Sequence, residues 1–244
     1  MPGLEQQDKQ ARKAILNRVR QSLSSPARFP QARESRAPLA SNLPLDHEAL
    51  LQAFAVELAA LQGVFHRCPP EKVFSLACEV IARAGGGETP GVLAWAEAGL
   101  PAAAEGLLDR LRQAGVRLVE GDVPLAGPER TARLAEMEGA VLGLTGAEAA
   151  LADIGGIVVR SGAGQGRLAS LLPVTHVALV TPDQFYPSLA DWMEALRAQG
   201  RLEETVAGPS NLTVIAGPSR TADIEKTLVL GVHGPKTLHV ICVE

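Results

Sequence analysis

The stretch Val64–Trp95, VFHRCPPEKVFSLACEVIARAGGGETPGVLAW, decides the class of fold. It opens on Val64–Arg67, a short run that reads as a strand. Pro69 and Pro70 then start a helix, because a proline in the first helical turn gives up no needed N–H. The helix reaches about Ala84, and Gly85-Gly86-Gly87 ends it. Val92–Trp95 follows as a second strand.

The same rhythm runs outward on both sides. Asp46–Gln62 reads as a helix. Downstream come a helix over Ala102–Gln113, stopped by Gly115, a strand over Val116–Glu120 and a helix over Pro128–Glu136. Strands alternating with helices argue for a parallel sheet with helices on both faces. The second half has a different texture. Ala140–Leu144, Ala150–Ile154 and Ile157–Arg160 read as strands, with Gly155-Gly156 as a tight hairpin turn. A short apolar helix, Leu168–Leu172, a strand, His176–Thr181, and a helix, Ser188–Gln199, come next. Leu212–Ala216 and Thr237–Val243 are closing strands. The expected fold is α/β, with a mixed, mainly parallel sheet.

Upstream of this body, residues 1–23 read as a basic amphipathic helix. Ile15, Leu16, Val19 and Leu23 share a face, while Arg12, Lys13, Arg18 and Arg20 lie largely elsewhere. Residues 24–44 are rich in Ser, Pro, Arg and Ala and read as a flexible linker. The compact domain is then 45–244. Residues 1–40 hold eight Lys/Arg against three Asp/Glu, a net of +5. The whole chain is at −4, so the remainder carries −9. A basic arm on an acidic body suits docking on a partner or on its own body.

Composition removes several functions. With 244 residues, 46% of them hydrophobic, the chain builds a large core without disulfides or metals. Only 3% is aromatic, so the core is mostly Ala, Val, Leu and Ile, and base-stacking platforms are scarce. With no overall basic footprint either, nucleic acid is not an expected partner. Cys68, Cys78 and Cys242 are widely spaced, with no CxxC. No iron–sulfur cluster or metal is expected on this chain itself. The same cysteines argue against a disulfide scaffold and for a reducing compartment. No signal peptide is visible. The most apolar stretch, Ala140–Val159, holds Glu148, Asp153 and four glycines and makes a poor membrane span.

Five polar, glycine-bearing motifs crowd the second half, each after an apolar run and so at a strand end. In open α/β sheets ligands bind in crevices at such ends. The first, Leu144-Thr145-Gly146-Ala147-Glu148 with Asp153-Ile154-Gly155-Gly156, offers the Thr145 hydroxyl and the Asp153 carboxylate. The second, Ser161-Gly162-Ala163-Gly164-Gln165-Gly166-Arg167, exposes successive N–H groups beside a guanidinium. Gly164, Gly166 and Arg167 thus make a nest for a carboxylate or phosphate. The third, Pro173-Val174-Thr175-His176, presents an imidazole. In the fourth, Gly217-Pro218-Ser219-Arg220-Thr221-Ala222-Asp223-Ile224-Glu225, a helical turn capped by Ser219 or Thr221 would aim its N–H groups at an anion beside Arg220. Asp223 is a candidate base or acceptor. The fifth, Gly231-Val232-His233-Gly234-Pro235, sets His233 between glycines with little packing reason to be there. Each motif also has a plain reading as a turn, a flexible connection or a capped helix. A metal site is not expected, since His233 and His239 straddle a loop and a strand without further ligands.

In order and spacing, this series resembles the lactate-utilisation protein C (LutC/YkgG) family, which carries a LUD domain. The resemblance covers about residues 45–244 and, loosely, the N-terminal helix. Gly217–Pro235 is its most specific part. Gly156 departs from the pattern, standing where the family more often has Thr or Ser. The resemblance implies a fold similar to the NagB/RpiA/CoA-transferase group and a bacterial, cytoplasmic protein. It also implies that iron–sulfur subunits are partners in oxidising L-lactate to pyruvate, with this chain as a non-cluster subunit or accessory protein.

In that picture Arg167 and Arg220 hold a small carboxylate or phosphate-bearing ligand. Thr145, Asp153, Gly164, Gly166, His176, Ser219, Thr221 and Glu225 surround it, and Asp223 and His233 handle a proton. Two alternatives stay open. One is a stand-alone CoA-transferase or isomerase-like enzyme, for which Glu148 and Glu225 are the candidate nucleophiles. The other is a non-enzymatic assembly or regulatory module that docks through residues 5–44.

Overall fold

The computed structural model describes residues 2–24, 46–85, 87, 89–124, 126–222 and 228–244. The linker expected at 24–44 lies outside them apart from Ser24, as do Asp223 and Glu225. The chain divides into two compact units, residues 1–39 and 40–244. The first holds helix α1, Pro2–Ser24, on which Ile15, Leu16 and Val19 are exposed.

The second unit starts with α2, His47–Ala60, capped by Asp46, whose carboxylate accepts the Ala49 N–H at 3.1 Å. A capping acceptor satisfies a donor that has no helical partner. Leu50, Leu51, Phe54 and Leu58 form its buried stripe. The Val64–Trp95 stretch then folds as β1, Val64–Cys68, α3, Pro70–Ala84, and β2, Gly91–Ala94. α4, Leu107–Gln113, β3, Arg117–Glu120, α5, Pro128–Glu138, and β4, Ala140–Gly146, continue the alternation. The helix expected over Ala102–Gln113 is interrupted. Ala102–Ala104 is a 3-10 turn, and Gly106 takes φ 74° with its N–H on Glu97 Oε1 at 2.7 Å. Glycine enters this left-handed region at no steric cost, so the chain breaks there.

The second half supplies β5, Ala149–Leu151, β6, Gly156–Ser161, β7, Thr175–Val180, and β8, Phe185–Tyr186. α6, Leu189–Ala198, α7, Leu202–Ala207, β9, Asn211–Ile215, β10, Arg220–Ala222, β11, Leu228–Leu230, and β12, Thr237–Val243, complete it. Six strands form one sheet in the order β1-β12-β7-β4-β2-β3, with every pairing parallel. The antiparallel pairs sit apart, in a four-stranded sheet β8-β5-β6-β9 and a two-stranded ribbon β10-β11. All six residues of β7 are buried, as suits a parallel strand covered on both faces. The α/β class therefore holds, with a mainly parallel sheet flanked by helices.

Phe54 on α2, Phe65 on β1 and Phe185 on β8 meet edge to face, with centroids 5.1 to 5.9 Å apart. This trio ties the opening helix to both larger sheets. Cys68 lies opposite Val243 and Cys242 opposite Arg67, so the two thiols point to opposite faces.

The turn expected to begin at Ser219 is not helical. Arg220–Ala222 is a strand, laddered antiparallel to Leu228–Leu230. The Ser219 N–H is taken by Pro235 O and the Ser219 carbonyl by the Gly231 N–H, each at 2.9 Å. With those groups committed across the loop, the extended backbone wins over a helix start.

Candidate functional site

His176 is the second residue of β7, flanked in the sheet by Leu238 of β12 and Gly143 of β4. Gly143 has a packing reason, since a Cβ there would lie 1.7 Å from the Ala169 carbonyl oxygen. Its absence lets the 3-10 turn Arg167–Ser170 lie against the sheet beside His176. The His176 Nε2 is 2.9 Å from Thr145 Oγ1, and both side chains are buried. Its Nδ1 is buried with no hydrogen-bond partner among the described residues. Burial pushes the imidazole down to a pKa of about 4, so the ring is neutral at pH 7.

The run-out of β9 and the loop before β12 close over this ring. Gly217 has φ 83°, and a Cβ there would lie 2.8 Å from Leu61 Cβ, so the strand end seats on the end of α2. The Arg220 guanidinium donates to the Leu61 carbonyl at the same place. The bonds from Ser219 to Pro235 and from Gly231 to Ser219 join the two roots of the β10-β11 ribbon. As a result His176, Ser219 and His233 line one cavity of about 250 Å³. Leu171, Val214, Ile215 and Leu238 give it apolar walls. His233 is exposed and His176 is not, so the cavity runs from a wet end to a dry one. It is smaller than the roughly 300–1,000 Å³ typical of drug-sized ligands, and it suits a compound of few atoms.

The remaining sequence-derived residues lie elsewhere. The Gly164 N–H donates to Asp122 Oδ2 at 3.2 Å, and its carbonyl accepts from Ala96 N at 2.8 Å. The expected nest thus faces a carboxylate belonging to the protein itself. The Gly166 carbonyl accepts from the Trp95 indole at 3.1 Å. Gly164 and Asp122 line an open cleft of about 840 Å³ over the carboxyl ends of β2 and β3, together with Glu97, Glu105, Asp109 and Glu120. This cleft occupies the strand ends where open sheets usually take ligands, whereas the His176 cavity lies at the amino end of β7.

Arg167 is exposed at the start of its 3-10 turn. Asp153 lines a hollow against α2 with Gln52 and Glu57, and burial raises its carboxyl pKa. Thr221 pairs with Val229 in the ribbon. Glu148 is ion-paired with Arg160 at 3.5 Å.

Three of the five motifs therefore converge, with Thr145 of a fourth behind them. Sequence reasoning missed Leu61 and Asp122. Leu61 acts through its carbonyl, which no side-chain pattern marks. Asp122 follows Gly121 just beyond β3, a turn composition that was legible.

Among the described residues no helix is long and apolar enough to cross a membrane, and no three His, Cys, Asp or Glu side chains group as metal ligands.

The LUD domain family matches residues 51–243. Lactate utilization protein C of Halalkalibacterium halodurans is 40% identical over 107 residues, 44% of this chain and 46% of that protein. Its namesake in Bacillus licheniformis is 36% identical over 142 residues, 57% of this chain and 55% of the relative. YkgG of Escherichia coli is 36% identical over 137 residues, 56% of each. The chain spans about half the length of the curated relatives it matches. The crystal structure of a DUF162 family protein from Deinococcus radiodurans matches with a TM-score of 0.55 and 26% identity, covering 82% of this chain and 100% of the other.

Proposed function

The chain belongs to the LUD domain family, and from that premise we propose that it acts in lactate utilisation as the non-cluster component of an iron–sulfur complex oxidising L-lactate to pyruvate. Its own task in that reading is to hold a small carboxylate in the cavity of His176, Ser219 and His233. The observation that carries the binding role is the convergence of His176, Ser219 and His233 on one apolar-walled cavity. A few convergent polar groups in an apolar pocket are the usual makings of a small-molecule site. The names of the relatives support the pathway. The dispersed cysteines Cys68, Cys78 and Cys242 suit a component whose electrons leave through a partner's clusters.

A docking role for the arm rests on a separate observation. α1 exposes Ile15, Leu16 and Val19 along one face, with Arg12, Lys13, Arg18 and Arg20 largely on others. Such a helix suits an apolar groove with an acidic rim on a partner subunit. A stand-alone transferase has less support, because one of its two candidate nucleophiles, Glu148, is tied to Arg160, while the other, Glu225, lies outside the described residues.

The test is recovery of the tagged full chain from bacteria growing on lactate. Cysteine-rich iron–sulfur proteins and lactate-dependent dye reduction should come with it, and deletion of residues 1–44 should release them. Recovery of the chain alone, without iron or activity, would turn against the complex.

A further inference from the structure

The cavity shares its wall with a lightly supported element of the fold. Gly217–Ser219 and His233–Pro235, which line it, are the two roots of the β10-β11 ribbon. The ribbon stands apart from both larger sheets. Its Val229 and Leu230 are 41% and 37% exposed, so neither is seated in the core. A lone pair of strands is marginal in water. An element with few buried contacts opens before the rest of the fold does.

Among the described residues, two hydrogen bonds hold the ribbon to the body. The Ser219 N–H donates to the Pro235 carbonyl at 2.9 Å, and the Arg220 guanidinium donates to the Leu61 carbonyl. The Gly231 N–H on the Ser219 carbonyl continues the ribbon's own ladder, one pair beyond Arg220 and Leu230. The residues that bracket the ribbon are glycines of positive φ, Gly217 at 83° and Gly231 at 72°. Without a Cβ, glycine moves between backbone regions at little cost, which suits it to absorb a swing.

We propose that the β10-β11 ribbon is a strap over the cavity, hinged at Gly217 and Gly231 and latched by Arg220 on the end of α2. Its lift takes Pro218 and Ser219 off the cavity wall and admits or releases the occupant, and its return restores the wall. Arg220 is a positioning residue that touches no ligand. The latch is made in the empty and the filled closed state alike. It therefore sets how fast the cavity exchanges its occupant, not how tightly it holds it. This inference rests on the reading above, that the cavity holds a small carboxylate.

The test uses the full chain with L-lactate as the probe and compares wild type, Arg220→Ala and Arg220→Lys. NMR line shapes through the titration give the association and dissociation rates, and hydrogen exchange reports the Ser219 amide. In Arg220→Ala both rates should rise together by about fivefold, the factor carried by one ordinary hydrogen bond, with Kd unchanged. Arg220→Lys keeps a donor and should fall between the two. The wild-type Ser219 amide should exchange well ahead of the β7 amides, and about fivefold faster still in Arg220→Ala. If Arg220→Ala fails to fold, the wild-type amide and Arg220→Lys still decide. Unchanged rates, a weaker Kd from faster release alone, or a Ser219 amide as protected as those of β7 overturns the strap and leaves the carboxylate cavity standing. No binding of L-lactate overturns the carboxylate reading, and the Ser219 amide then decides the strap.

Discussion

Thr145 Oγ1 lies 2.9 Å from His176 Nε2 in the buried interior, joining the carboxyl end of β4 to the amino end of β7. The contact uses one ring nitrogen and leaves the other buried without a partner among the described residues. The same burial that shapes the cavity keeps the imidazole uncharged, and this links the site to the stability of the fold.

The acid limb of stability follows from that burial. His176 and His239 are each pushed from an ordinary 6.5 down to about 4, chiefly by desolvation. His66, 3.0 Å from His239, is lowered for the same first reason, with Glu79 opposing and Arg83 reinforcing the shift. The unfolded chain therefore binds more protons than the native one between these values. Stability is fully present above about pH 6.5 and falls as pH drops toward 4, by on the order of 3 kcal/mol for His176 alone. Urea midpoints between pH 7.5 and 4 should fall accordingly, and His176→Gln should flatten part of that slope. An unchanged slope in the variant would contradict the assignment.

Gly143 is fixed by contact. A Cβ there would lie 1.7 Å from the Ala169 carbonyl, which is backbone and cannot swing aside. Gly143→Ala should cost about 3 kcal/mol or more, in the upper range for overpacked cores. It should also displace the 3-10 turn that carries Ser170 and so weaken carboxylate binding. Thermal melting and titration of the variant, read together, check both effects.

Arg220 is tested by separating stability from affinity. Its guanidinium donates to the carbonyl of Leu61. Arg220→Ala should lower stability by about 1 kcal/mol, the usual net worth of such a bond. It should leave carboxylate affinity nearly unchanged. A large loss of affinity with an unaltered melting temperature would instead make Arg220 an anion clamp.

Asp122 holds the glycine loop through the Gly164 N–H. Asp122→Ala should speed amide exchange at Gly164 without unfolding the sheet. In hydrogen-exchange mass spectrometry the segment 162–166 should gain deuterium early. Unchanged protection there would show that Ala96 N–H on the Gly164 carbonyl is enough to hold the loop.

Most of the fold was legible because its signals are local. Pro69-Pro70 and Gly85 bracket α3, Asp46 caps α2, and buried runs such as His176–Val180 become parallel strands. Where the reading failed, a distant partner had decided the matter. The backbone of Ser219 is used by Pro235 and Gly231, which turns a plausible helix start into the root of a ribbon. The helix read over Ala102–Gln113 breaks at Gly106, whose N–H is held by Glu97.

The candidate site was legible as a set of residues but not as an arrangement. His176 stood out as an imidazole at a strand start, Ser219 as a cap and His233 as a loop imidazole with little packing reason, and they share a cavity. Gly164 and Arg167 stood out as a nest for an anion, and they lie elsewhere. A motif records which groups are available within a few residues, whereas a cavity depends on which strands are neighbours.

The sequence by itself determined the α/β class and the positions of most helices and strands. It also set the dispersal of Cys68, Cys78 and Cys242, because periodicity, capping and composition act over a few residues at a time. Only the tertiary structure decided that the antiparallel strands leave the main sheet, and that β7 lies between β4 and β12. It alone decided that one nitrogen of His176 is spent on Thr145 while the other is enclosed without a partner among the described residues. Those outcomes depend on strand order and on close approach between chain segments far apart in sequence. No local pattern encodes them, since the same motif is satisfied by whichever partner the packed core brings within reach.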